Sequence, residues 1–276
     1  MYRREFLQSL AVAGLLLQGC KSQSHSEVVI AGEDLGVKDQ LLRNRYPDQH
    51  YGDDIHIGEQ QLPLLRTVQQ RLERLQKTVG HGNFALLGVD EMRAYGRNYS
   101  AIGHFSKEEE ALLEQLFYVD ASSYGFHGTK TLGKLTDCID RSALQRQSGS
   151  SQYLFKGEAL SAYMKISRAL GSEVELTSGV RGVVKQMHLF LSKTVAFGGN
   201  LSLASRSLAP PGYSFHGIGD FDVGQRGWAE RNFSPEFASS DVFRRLQDLG
   251  YITMRYPEDN LLGVRYEPWH IKVVSA

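Results

Sequence analysis

Leu62, Leu65, Val68, Leu72, Leu75 and Val79 recur at three- and four-residue steps, with Arg, Gln and Glu between them. That spacing is an amphipathic helix, and such a helix draws most of its stability from packing its apolar face against other elements. A second helix is expected to open at Ser106, where Ser106 and Glu109 have capping-box spacing and Ala111, Leu112, Leu113, Leu116 and Phe117 supply an apolar face. Residues 83–89 are apolar and short enough for a strand. Residues 140–152 are rich in Ser, Gln and Gly and read as a boundary or exposed loop.

Beyond them a helix is expected over residues 157–170, with Leu160, Tyr163, Met164 and Leu170 inward and Gly171 as its stop. Val174 to Thr177 alternates like a strand, and Ser178-Gly179 turns into a helix over 182–197. Pro210 and Pro211 require a loop. A helix from Asp241 ends at Gly250, and residues 251–256 and 264–274 read as strands. No internal repeat is present. Short helices mixed with a few non-alternating strands predict an α+β fold, a small and mostly antiparallel sheet flanked by helices, with an N-terminal helical extension.

The chain has 276 residues and carries 31 basic and 31 acidic side chains, so it lacks the positive field that neutralises nucleic-acid phosphates. Nucleic acid is therefore not an expected partner. The only two cysteines, Cys20 and Cys138, exclude a disulfide scaffold or a cysteine-rich zinc finger. Any metal must be held by His and carboxylates. Cys138, within Leu135-Thr136-Asp137-Cys138-Ile139, reads as a small buried hydrophobe.

Residues 1–20 have the layout of a secretion signal: Arg3 and Arg4, an apolar stretch from Leu10 to Leu17, then Gly19 and Cys20. The stretch is shorter than the roughly 20 apolar residues of a spanning helix. Arg3-Arg4-Glu5-Phe6-Leu7 resembles a twin-arginine export signal, and Leu17-Gln18-Gly19-Cys20 resembles a lipobox. The expectation is a periplasmic bacterial envelope lipoprotein held at the membrane only through lipid on Cys20. The chain then divides into an address over 1–19, a tether and irregular lead-in over 20–60, a mostly helical region over 61–150 and a catalytic domain over 151–276.

His25, His50, His56, His81 and His104 sit in polar surroundings without partner spacing, and His188 falls within a predicted helix. His216 and His270 differ. His216 lies in Tyr213-Ser214-Phe215-His216-Gly217-Ile218-Gly219-Asp220-Phe221-Asp222-Val223, and His270 in Tyr266-Glu267-Pro268-Trp269-His270. A catalytic zinc takes three protein ligands and leaves one position open. His216, a following Asp and the distant His270 provide such a set. Glu267, three residues before His270, is placed to act as general base, provided that Pro268 breaks regular strand geometry and a bulge turns both side chains inward.

Ser214-x-His216-x-x-Gly219 followed by an Asp, then Glu267-Pro268-Trp269-His270, resembles the zinc D-alanyl-D-alanine carboxypeptidase family of the vancomycin-resistance type, with its S-x-H-x-x-G-x-A-x-D and E-P-W-H signatures. Ser178-Gly179-Val180-Arg181, with Gln186 beyond it, resembles that family's S-G-Y-R-S segment and downstream Gln. The resemblance covers roughly residues 150–276. The family's Asp stands seven residues after its His, where this chain has Val223. Asp222 matches the motif's ending with one residue deleted, and Asp220 is the alternative.

The resemblance implies zinc held by His216, Asp222 and His270, Glu267 as base, and Arg181 at the oxyanion or at the substrate's terminal carboxylate. It further implies that Ser214, Gln186 and Ser178 bind substrate, and that Trp269 packs beneath the ligands. The implied reaction is hydrolysis near the C-terminus of a peptidoglycan stem peptide, most directly by a D-alanyl-D-alanine carboxypeptidase. The alternative is a non-catalytic zinc lipoprotein that binds cell-wall peptides or a partner protein, which would have no need of Glu267 or Arg181. A purely structural zinc would want a fourth ligand, for which His188 is the one candidate.

Overall fold

The computed structural model describes residues 32–273. The signal-like segment and Cys20 lie outside the described residues. No helix among those described is long and apolar enough to cross a membrane.

The described residues begin with α1 (Gly32–Arg45), a helix inside the stretch expected to be irregular. Hydrophobic periodicity misses it because polar contacts hold it in place. Buried Asn44 donates Nδ2 to the Asn260 carbonyl at 2.7 Å, and Arg43 bridges Asp39 and Asp53. Next comes α2 (Leu62–Val79), with Leu65, Val68, Leu72 and Leu75 buried as the spacing predicts. The strand expected over 83–89 is absent. Gly80, at φ 80°, ends α2, and the apolar residues divide between α3 (His81–Phe84), a turn and the start of α4 (Val89–Asn98). A short apolar run does not distinguish a strand from buried helical turns.

In α5 (Lys107–Tyr118) the capping box is formed. Ser106 Oγ accepts from the Glu109 N–H, and Glu109 Oε2 accepts from the Ser106 N–H. Leu112, Leu113, Leu116 and Phe117 are buried, whereas Ala111 faces solvent. Cys138 is exposed and not the buried hydrophobe expected, because its segment runs over the surface as irregular chain.

Residues 140–152 are not a plain loop. They enter the antiparallel hairpin of β1 (Leu144–Arg146) and β2 (Tyr153–Phe155). Behind it runs α6 (Glu158–Leu170), which buries Ala159, Ile166 and Leu170 but leaves Met164 about half exposed. Three strands form the second sheet, in the order β3 (Val174–Ser178), β4 (Phe221–Gln225), β5 (His270–Ile271), all antiparallel. Between β3 and β4 lie α7 (Val183–Ala196) and α8 (Leu201–Ser205), and α9 (Asp241–Asp248) follows β4. Small antiparallel sheets flanked by helices, preceded by a helical region, make this an α+β fold.

Two main apolar clusters organise the chain. One joins α2, α4 and α5 to Val183, Val184, Met187, Phe190 and Leu191 of α7, so it draws on residues from both ends of the chain. The other packs Leu176, Phe221, Val223 and Ile271 of the sheet against Ile166, Leu170, Val242, Phe243 and Leu246. Phe221 and Val223 point into this second cluster, which turns the intervening Asp222 to the opposite face of β4.

The strands expected over 251–256 and 264–274 shrink to a single bridge, Met254 with Ile271, and to β5. Turns at Pro257–Asn260 and Glu267–His270 break the run, and the Val273 N–H goes to the Asp220 carboxylate at 2.8 Å instead of a neighbouring strand.

Candidate metal centre and active site

The register of the second sheet builds the site. Asp222 pairs with Ser178 on one side and with His270 on the other, after an irregularity between Leu176 and Ser178. His216 arrives on a 3₁₀ turn, Phe215–Gly217, folded tightly by three N–H groups on the Phe215 carbonyl. His216, Asp222 and His270 are all buried, and one donor atom from each lies within 4.8 Å of the others. They are the only such group of three among the described residues.

Each imidazole is oriented by a partner behind it. His216 Nδ1 donates to the Gly179 carbonyl at 2.8 Å, leaving the lone pair of Nε2 directed at Asp222 Oδ1, 3.3 Å away. His270 Nε2 donates to Asp220 Oδ2 at 3.1 Å, and its Nδ1 stands 3.4 Å from both Asp222 Oδ1 and Glu267 Oε2. His216 Nε2 and Asp222 Oδ1 are buried without any hydrogen-bond partner. Orphaned buried acceptors on one small spot are costly unless a cation satisfies them. Two imidazole nitrogens and a carboxylate oxygen are a donor set that suits zinc with one position left open.

The two aspartates have different surroundings. Asp220 receives His270 Nε2–H, Arg255 Nε and Nη2 at 2.8 and 3.2 Å, and the Val273 N–H. Burial raises its pKa, but these donors outweigh burial and hold it ionised. Asp222 is likewise pushed up by burial and pulled further down by His216, Arg181 and His270. Burial disfavours a charged His270, yet Asp220, Glu267 and Asp222 together raise it to about 9. His216 is lowered, because burial and Arg181 outweigh the Asp222 carboxylate that raises it.

Glu267 reaches the site through a tight turn rather than a strand bulge. The His270 N–H bonds back to the Glu267 carbonyl, and both side chains project to the same side. Arg181 donates Nε to Ser178 Oγ at 2.8 Å and Nη2 to Asp222 Oδ2 at 2.5 Å. Both it and Ser214 line a cavity of about 140 Å³ together with Asp222, Glu267 and the two histidines. Trp269 is buried and also lines this cavity. Gln186 stands behind the wall, its amide held to the Ala209 carbonyl. His188 lies on α7 against Phe84 and Ser192 and takes no part in the group.

Sequence spacing gave no sign of Arg255 or Tyr256. Arg255 clamps Asp220 and stacks over Phe215 at 3.7 Å, and Tyr256 meets the His270 ring edge-on at 5.1 Å. Thirty-five residues separate Arg255 from Asp220, and no local pattern marks the pair.

Residues 156–276 match the model of the VanY D-alanyl-D-alanine carboxypeptidase family. This segment is similar to that family. It carries all three residues of the buried donor group, together with Glu267 and Arg181. No curated protein matches the chain. Among solved structures, the chain is similar to a vancomycin-resistance D,D-pentapeptidase VanY from a VanB-type cassette in complex with Zn(II). The two are 26% identical over 48% of this chain and 78% of that one, with TM-score 0.37. VanYB in complex with D-alanine-D-alanine gives 26% identity, 48% and 77% coverage and TM-score 0.38. The D,D-dipeptidase VanXYg with a D-Ala-D-Ala phosphinate analogue gives 18% identity, 50% and 61% coverage and TM-score 0.40. The matched segment begins just after the β1–β2 hairpin strand that braces Val180 through the Tyr153 carbonyl.

Proposed function

We propose that the chain is a zinc metallopeptidase that cleaves a peptide bond near the C-terminus of peptidoglycan stem peptides, acting as a D-alanyl-D-alanine carboxypeptidase of the cell envelope. The observation that carries this reading is the convergence of His216 Nε2, Asp222 Oδ1 and His270 Nδ1 beside the Glu267 carboxylate, inside the segment that matches the VanY family. His216, Asp222 and His270 would hold the metal, with Asp220 serving to orient His270. A zinc ion there supplies a Lewis acid that polarises the scissile carbonyl and acidifies water.

The remaining work falls to the chain's own groups. Glu267 takes a proton from the attacking water and returns it to the leaving amine. Arg181, its plane set by Ser178 and Asp222, presents positive charge at the cavity wall to the developing oxyanion or to the terminal carboxylate. Ser214 offers a hydroxyl to the peptide from the same wall. Ser178 acts by positioning Arg181, and Gln186 by holding the Ala209 wall.

The signal-like residues 1–20 support export, with lipid on Cys20 tethering the protein in the periplasm. Incubating zinc-loaded protein with defined pentapeptide muropeptides and reading the products by mass spectrometry tests the reaction. Loss of a single terminal D-Ala is expected. No cleavage of any stem peptide with stoichiometric zinc bound returns the protein to the binding-module reading.

A further inference from the structure

The cavity over His216 and Asp222 measures about 140 Å³, which suits a terminal residue but not the rest of a stem peptide. A larger groove of about 490 Å³ adjoins it, within the size range of ordinary ligand sites. Arg265 lines both spaces. Leu41, Asn44 and Arg45 of α1 line this groove together with Glu258, Asp259 and Tyr266, so two carboxylates stand beside the two guanidinium groups of Arg45 and Arg265. The α1 residues lie wholly outside the matched segment.

The groove is a built feature. Asn44 and Asn260, 4% and 7% exposed, tie α1 to the loop that leads to Arg265. Asn260 in turn donates to the Pro257 and Val264 carbonyls at 2.7 and 2.9 Å, fixing that loop. Arg265 is held in plane by the Phe233 carbonyl on Nη2 at 3.0 Å and by Trp269 beneath its guanidinium. Its Nε is buried without a hydrogen-bond partner, and the nearest carboxylate oxygen, Glu267 Oε1, is 4.0 Å away. A guanidinium held in plane where two binding spaces meet suits a substrate carboxylate.

We propose that this groove binds the acyl side of the substrate peptide and that Arg265 is a specificity-determining residue, pairing with a carboxylate borne by that part of the peptide. This rests on the peptidase reading for the polarity of the substrate. The N-terminal helix α1 thereby forms part of the substrate site.

Binding of cleavage products tests the idea without turnover. Two synthetic tetrapeptides ending in the D-Ala left after cleavage are compared by calorimetry on the zinc-loaded protein. One carries free carboxylates on its second and third residues, and the other has both amidated. About a tenfold preference for the carboxylate form is expected from a charge-assisted pair. Arg265→Gln removes the preference, and Arg265→Lys restores part of it. Leu41→Glu, on a half-buried face of α1, weakens the carboxylate peptide more than the amide.

Equal affinities in the wild type, or a preference that survives Arg265→Gln, overturns the proposal. Pentapeptide cleavage is measured in parallel. A protein that cleaves without carboxylate preference retires the subsite alone. A protein that binds with the preference but cleaves nothing keeps the subsite and loses the peptidase reading.

Discussion

Asp222 stands directly across the sheet from His270, its Oδ1 3.4 Å from Nδ1 of that ring, while Nε2 of the same imidazole is held by Asp220. Two aspartates separated by one residue thus meet two different atoms of one histidine. Their roles should separate under substitution. Asp222→Ala, His216→Ala and His270→Ala are expected to lose stoichiometric zinc by elemental analysis. Asp220→Asn should retain it with about 10- to 100-fold weaker affinity, the usual cost of removing a partner behind a metal ligand. The reverse pattern for the two aspartates would show that Asp220 is the ligand.

Glu267→Gln removes the base and keeps the volume. The variant should bind zinc like the wild type and lose at least about 10²-fold in kcat, the low end of what a general base contributes. Full activity would remove Glu267 from the mechanism.

Gly179 is fixed by a close approach. A Cβ there would lie 2.0 Å from the Tyr153 carbonyl oxygen, and its own carbonyl receives His216 Nδ1–H. Gly179→Ala is expected to destabilise the chain by about 1–3 kcal/mol, as overpacking does, and also to lower zinc affinity. Urea denaturation and zinc titration read the two effects. A variant with unchanged stability and affinity would show that the hairpin yields freely.

His188 provides a pH signature away from the metal site. Burial, with Lys185 nearby, lowers it from 6.5 to about 4, and Glu73 opposes this only weakly. The folded chain therefore refuses a proton that the unfolded chain accepts below 6.5. Stability from this group is flat above pH 6.5 and falls as the pH drops towards 4. Between pH 6.5 and 4.5 the wild type should lose about 2 kcal/mol more than His188→Gln in urea unfolding. Parallel profiles for the two proteins would contradict the assignment.

The local patterns of this chain translate well wherever the determinant is itself local. The apolar spacing of α2, the Ser106–Glu109 capping box and the 157–170 and 182–197 helices depend on residues within a turn or two of one another. Where polar anchoring replaces an apolar stripe, as in α1 with its Asn44–Asn260 tie, periodicity carries no signal. Residues 83–89 failed for a related reason, since a short buried run fits either a strand or helical turns. The exposure of Cys138 is likewise a matter of where its segment crosses the surface.

For the site, the sequence by itself determined which residue types were at hand: His216, Asp220, Asp222, Glu267, His270 and Arg181, in motifs that resemble one peptidase family. It left two aspartates in competition, because a spacing of four or six residues after His216 says nothing about which face of a strand each will occupy. Tertiary structure decided their surroundings. The second apolar cluster claims Phe221 and Val223, so the pleat turns Asp222 towards His216 and His270, while Arg255 and Val273 hold Asp220 behind the His270 ring. The groove beside Arg265 is likewise invisible in sequence, since it exists only where α1 packs against a loop more than two hundred residues away, as the separation of 216 between Asn44 and Asn260 records.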